Sequence, residues 1–338
     1  MTVAVTGAAG FVGNNLVRAL VAQGRRVRAL ILHDRERAIL AGLPVEIQRA
    51  DVRDPDALIR AFDGVQVVYH LANVISLQPD DWPLLKAVNV EGTRHVVEAC
   101  RACGVQRLVH FSSFHALHQA PLDVPLDENA PLVSDARTAP YNRSKAQGEQ
   151  IVRQACADGL NAVILNPTGI IGPNDYGPSW FGSVLLDLAQ GRLPHLLEGG
   201  CDWVDVRDVV DGALRAEAQA PSGGRYLLSG HYVSLRGIAR LVREITNAPM
   251  PRIVWPMVLA RLYAPVNLLL SRARGIPARL TAVALEELSG NPHISHARAA
   301  RELGYAPRAI RETLQDTLRW QVAHGILAAH HLRPDASG

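Results

Sequence analysis

The sequence has no run of about 18 uninterrupted apolar residues, no block of lysine and arginine, and only four cysteines in 338 residues. Each shortage excludes something. The most hydrophobic stretch, Ile253 to Arg272, is interrupted by Pro256, Arg261 and Pro265. It cannot form an apolar span, and it predicts a pocket lid or a buried helix, with peripheral membrane contact as the alternative. The basic residues are scattered, carry a formal net charge of only +3 and are not interleaved with aromatics, so no nucleic-acid partner is expected. Cys100 and Cys103 form a Cys-x-x-Cys, yet they close a helical pattern with no second pair or histidine pair nearby, so neither a disulfide framework nor a metal site is expected. Val3-Ala4-Val5 already reads as a strand with no charged segment before it, so no leader peptide and a cytoplasmic location are expected.

What the chain does contain is alternation. Val3–Thr6, "RVRALIL", "VEIQRA", "VQVVYH", "RLVHFSS" and "NAVILN" read as strands, and helical patterns fall between most of them. One helix is predicted after Gly13, with Leu16, Val17, Leu20 and Val21 on one face, and a short one is capped by Asp54-Pro55. Longer ones are predicted over about 83–103 and 140–158. This order predicts an α/β fold, a Rossmann-type doubly wound parallel sheet with a smaller, interleaved C-terminal substrate lobe. The dinucleotide-binding domain is expected over 1–168, with 204–232 returning to it. The substrate lobe takes 169–203 and 233–330, and 331–338 is a tail.

Immediately after the first strand come Gly7, Gly10 and Gly13, then a helix. Glycine permits a tight turn and lets phosphate oxygens approach the backbone, while the helix start at Phe11, Val12 and Gly13 offers free N–H groups. Tyr141 and Lys145 stand four apart on one helix face, where an ammonium favours the phenolate and brings a tyrosine towards neutral-pH acid–base work.

The segment "TGAAGFVG" resembles the TGxxGxxG turn of the extended short-chain dehydrogenase/reductases. The resemblance continues through Asp51 and Val52 in "ADVRD", through Leu71, Ala72 and Asn73 in "HLAN", and on to "IGP" and "ARELGYAPR". It implies a nicotinamide dinucleotide held by these residues, by Tyr141 and Lys145, and by Pro167. It also implies a catalytic set of Ser113, Tyr141 and Lys145, with Ser112 in place of Ser113 if the register slips by one. Phe114, His115, Asn166, Tyr176 and Trp180 are expected in the substrate pocket. Ile31 stands where NAD-preferring members often have aspartate, and His33, Arg35 and Arg37 could meet a 2′-phosphate beside Asp34; NADP is therefore favoured over NAD.

The look of "WVDVRDVVDGAL" and an apolar lobe (Phe181, Trp255, Met257, Leu259, Leu262 and Tyr263 beside Trp180) is closest to dihydroflavonol reductase-like and 3β-hydroxysteroid dehydrogenase-like members. The implied reaction interconverts a carbonyl and an alcohol on a fairly hydrophobic small molecule. A nucleotide-sugar epimerase or dehydratase is the first alternative, and a non-catalytic NAD(P) sensor the second. By the same resemblance, the helices over about 83–103 and 140–158 could pair two copies as a homodimer.

Overall fold

The computed structural model describes residues 1–76, 79–273, 285–286 and 288–333. Residues 334–338 of the expected tail lie outside them. The chain runs β1 (Thr2–Thr6), α1 (Phe11–Ala22), β2 (Arg26–Ile31), β3 (Glu46–Arg49), α2 (Pro55–Phe62) and β4 (Val67–His70). A helical rod follows in three parts: α3 (Trp82–Leu85), a π-helical segment Lys86–Glu91, and α4 (Gly92–Ala102). Then come β5 (Arg107–Phe111), α5 (Pro140–Ala157) and β6 (Ala162–Pro167). The Asp54 carboxylate accepts from the Ala57 N–H at 3.0 Å, so the short helix starts at its Asp-Pro signal.

Seven strands form one sheet in the order β3-β2-β1-β4-β5-β6-β10, where β10 is Arg225–Leu228. Every neighbouring pair is parallel. Period-2 alternation sends Val3 and Val5 to the face covered by α1 and by α7 (Val206–Gln219). Ala4, Leu108 and Ile164 go to the other face, under α2, α4 and α5. This is a Rossmann-type architecture, and the strand order reverses between β1 and β4, which opens a crevice at their carboxyl ends.

The second lobe has its own core around Leu185, Trp203, Ile238 and Leu314. It comprises β7 (Gly169–Ile171), α6 (Trp180–Ala189), β8 (His195–Leu197), β9 (Gly200–Asp205), β11 (His231–Ser234), α8 (Leu235–Ile245), β12 (Ile253–Trp255) and α9 (Met257–Ala273). α10 (Ala297–Leu303) packs on the first lobe and α11 (Ile310–Ala323) on the second. β11-β9-β7 and β12-β8 are two small sheets.

Two expectations need correction. The rod over 83–103 is not one α-helix, because its turn widens over Lys86–Glu91 where it meets α5. Nor do residues 253–266 of the Ile253 to Arg272 stretch form a buried helix; the side chains of 268–272 lie outside the described residues. Val258, Leu259, Leu262 and Val266 of α9 are exposed, whereas its buried positions include Ala260 and Ala264.

Candidate active site

The glycine turn is held shut by its own backbone. Gly7 has φ +65°, and its carbonyl accepts from the Gly10 N–H at 3.0 Å. A Cβ on Gly13 would stand 2.1 Å from Gly7 O, and one on Gly7 would stand 2.9 Å from Ala72 N. Only glycine lets β1, the start of α1 and the loop after β4 come this close. The first turn of α1 carries no acid and no side-chain cap, so the N–H groups of Phe11, Val12 and Gly13 are presented with a partial positive charge. That cradle fits a dinucleotide pyrophosphate.

One cleft of about 1420 Å³ runs from this turn into the second lobe, large enough for a dinucleotide and a second molecule. Gly7, Gly10, Phe11, Val12, Gly13, Arg35, Asp51, Val52, Leu71, Ala72, Asn73 and Pro167 line its cofactor end. The Asp51 carboxylate is gripped by Arg53 at 2.6 Å, which holds its pKa below the ordinary range. Sequence reasoning missed an acid here: Glu36 lines the cleft, and its Oε2 accepts from the Leu32 N–H at 2.9 Å. Beyond the tyrosine, the cleft is lined by Phe114, His115, Tyr176 and Trp180.

Ser113, Tyr141 and Lys145 line the middle of the same cleft. Ser113 leaves β5 and caps a short 3₁₀ turn, its Oγ accepting from the His115 N–H at 3.3 Å. Ser112 also lines the cleft. Tyr141 lies in the first turn of α5, which Pro140 opens, and its ring meets His115 edge-on at 6.2 Å. Lys145 is 5 % exposed and donates from Nζ to Phe111 O at 2.8 Å. Burial lowers its pKa from 10.5 to about 8, against the opposing pull of Glu149.

Two expected site residues lie elsewhere. His33 is exposed and outside the cleft, because the chain turns into the 3₁₀ helix Asp34–Leu40 right after it. Asn166 is fully buried beneath the cleft. Its Nδ2 donates to Ser113 O at 2.9 Å and to Glu149 Oε2 at 2.7 Å. Glu149 Oε1 in turn pairs with Arg225 at 3.1 Å. Asn166 is therefore a tie between the serine loop and α5, not a pocket residue. Of the apolar lobe residues, Trp180 and Phe181 reach the cleft, whereas Trp255, Met257, Leu259, Leu262 and Tyr263 do not line it.

A polar chain that sequence reasoning did not find underlies the site. The Thr93 hydroxyl donates to Asn89 O at 2.7 Å, so at 3.0 Å it accepts the proton of His70 Nε2. His70 Nδ1 is then the acceptor for the Thr6 hydroxyl at 2.9 Å, and Thr6 Oγ1 accepts from the N–H groups of Leu71 and Ala72. Burial, with Lys145 nearby, drives the His70 pKa down to about 3, so the ring is neutral. From the π-helical segment, Asn89 Nδ2 donates to Ser144 Oγ at 3.0 Å, and Ser144 donates to Tyr141 O. The signal in the sequence was the spacing of Asn89 and Thr93 on one helical face.

Cys100 and Cys103 form no disulfide; Cys100 is buried, and burial pushes both thiols up. Among the described residues, no helix is long and apolar enough to cross a membrane.

The profile of the NAD dependent epimerase/dehydratase family matches residues 3–229. Sterol demethylase protein B of Methylococcus capsulatus is 36% identical over 330 residues, covering 97% of this chain and 100% of that one. A 4-hydroxy-2-methyl-3-oxo-4-farnesyl-3,4-dihydroquinoline-1-oxide ketoreductase of Stigmatella aurantiaca is 32% identical over 321 residues, covering 93% of this chain and 95% of its own length. The crystal structure of gox2253 superposes with a TM-score of 0.85 at 34% identity, covering 96% of this chain and 99% of that one. On the strength of this profile and these full-length likenesses, the chain belongs to the NAD dependent epimerase/dehydratase family, a family of NAD-dependent oxidoreductases and epimerases.

Proposed function

We propose that this protein interconverts a carbonyl and an alcohol on a largely apolar small molecule, a bound nicotinamide dinucleotide supplying or taking up the hydride. The observation that carries the reading is that Ser113, Tyr141 and Lys145 line one cleft with the glycine cradle. In this reading the Tyr141 hydroxyl gives its proton to the substrate oxygen, or takes it back in the reverse direction. The Ser113 Oγ donates a hydrogen bond to that oxygen as charge develops on it. The Lys145 ammonium, held by Phe111 O, favours the phenolate and reaches ribose hydroxyls.

An apolar substrate is supported by the far end of the cleft. Among its described lining residues the only cations are Arg35, Arg53 and Lys145, all at the cofactor end or beside the tyrosine. A sugar nucleotide would need a cation for its own pyrophosphate. Leu117, Leu122, Trp180 and Phe181 offer instead a surface for rings and chains. Two relatives are named for apolar molecules, a sterol and a farnesylated ring system, which supports the same choice. For the cofactor, Arg35 favours a 2′-phosphate and Glu36 favours free ribose hydroxyls, and the family's description favours NAD.

The test is consumption of NADH and NADPH over aromatic, steroidal and aliphatic carbonyls, with a nucleotide sugar as control. Turnover is expected on an apolar ketone or aldehyde, with Tyr141→Phe lowering kcat by at least about a hundredfold while cofactor affinity stays within a fewfold. Full activity in Tyr141→Phe, or turnover of the nucleotide sugar alone, would reject the assignment.

A further inference from the structure

α9 is built the wrong way round for a helix that packs on a core. At the positions it turns inward are Ala260 and Ala264, which pack with Leu285. At the positions it turns outward are Val258, Leu259, Leu262 and Val266, with Val258 69% and Leu262 71% exposed. Ile253 and Val254, just before the helix, are exposed as well. Large apolar side chains outside and alanines inside point to a surface that is covered by something else.

Charge identifies the cover. From 245 to 285 the sequence contains no aspartate or glutamate, whereas arginines recur, and Arg252 and Arg261 flank the apolar stripe and are exposed. Glu198 Oε2 accepts from the Met257 N–H at the helix start, and the next acid in the chain is Glu286, just after Leu285. We propose that Ile253–Val266 is a docking face for an anionic lipid bilayer, with the apolar stripe entering the headgroup–acyl boundary and the arginines meeting lipid phosphates. An amphipathic helix with arginines beside its apolar face binds a bilayer surface in this way, and α9 lies on the membrane without crossing it.

The face adjoins the cleft. Leu285 packs on α9, Arg261 bonds Ser289, and Glu286 and Gly290 of the same short stretch line the cleft. Ile75 and Leu122 on the cleft wall are also exposed and apolar. An apolar substrate would thus enter from the bilayer without crossing water, a consequence that rests on the proposed function, whereas the docking face does not.

The test is flotation of the full chain with vesicles, without substrate. The wild type is expected to float with vesicles of phosphatidylcholine and phosphatidylglycerol in equal parts, and at least tenfold less with phosphatidylcholine alone. Val258→Glu/Leu262→Glu should lose at least tenfold of the bound fraction, and Arg252→Glu/Arg261→Glu should lose the preference for anionic vesicles. Circular dichroism and thermal melting check that both variants fold. Absence of wild-type flotation, or equal flotation of the folded variants, overturns the proposal. So does light scattering that shows a wild-type dimer dissociated by Val258→Glu/Leu262→Glu, because the cover would then be a second copy. Carbonyl turnover, assayed separately in solution, bears only on the reaction.

Discussion

Lys145 should titrate well below the ordinary lysine range, and its signal is easy to follow because the sequence has only one other lysine, Lys86. Its ammonium is buried with one backbone carbonyl as hydrogen-bond partner, and burial takes its pKa from 10.5 to about 8. At ~1.4 kcal/mol per tenfold, holding the charged form in place costs about 3 kcal/mol of folding stability. The sign follows from linkage. Below pH 8 both folded and unfolded chains hold the proton and the cost is paid in full. Between about 8 and 10.5 the unfolded chain binds a proton that the folded chain has released, so this group's contribution to stability rises with pH. Lys145→Met removes the cost but strands Phe111 O, at about 1–2 kcal/mol. The variant should therefore be about 1–2 kcal/mol more stable than wild type at pH 7, and this advantage should vanish or reverse by pH 10.5. Selective ¹³C labelling of lysine gives two Cε signals to follow against pH, with Lys86 as internal reference, and urea unfolding at pH 7 and pH 10 gives the stability difference. A Lys145 signal that titrates near 10.5, together with a variant destabilised equally at both pH values, would refute the reasoning.

Three further substitutions have expected outcomes. Gly13→Ala would place a methyl 2.1 Å from Gly7 O, so isothermal titration should show NADH affinity lowered at least tenfold, with loss of fold excluded by circular dichroism. Glu149→Gln leaves the Arg225 guanidinium buried without its carboxylate and should cost about 3–5 kcal/mol in urea unfolding. The same change removes the charge that raises the Lys145 pKa, so the labelled Lys145 signal should titrate lower still. Thr6→Val deprives the Leu71 and Ala72 N–H groups of their acceptor and should cost about 1–3 kcal/mol in the same urea assay, with weaker cofactor binding as the loop after β4 loosens.

The parts of the site that could be read from the sequence were those set by local geometry. Gly7, Gly10 and Gly13 are close in the chain, and the turn they make needs no distant partner to be recognised. Tyr141 and Lys145 are brought to one side by the helical repeat alone. What was misread depended on which side of the sheet a residue faces. Asn166 shares strand parity with Ala162 and Ile164, which face α4 and α5, so its amide meets Glu149 and not the substrate cavity. His33 was misplaced because the tight 3₁₀ turn after β2 has no strong periodic signature. The outward face of α9 was invisible to periodicity, since an apolar stripe reads alike whether it meets a core or something outside the protein.

The widened turn at Lys86–Glu91 has a consequence for how this chain can vary in length. Each α-helical residue advances the direction of a side chain by about 100°, and a π segment accommodates one residue beyond the regular count. Deleting one residue there would remove that excess and let the rod relax into ordinary α-helix, with Thr93, Val96, Val97 and Cys100 still on the face that meets the sheet. Deleting one from the regular turns would instead swing a flank off that face. Natural variation in this rod should therefore tolerate the loss of one residue within Lys86–Glu91, whereas any shortening of its regular α-helical parts should come in whole turns.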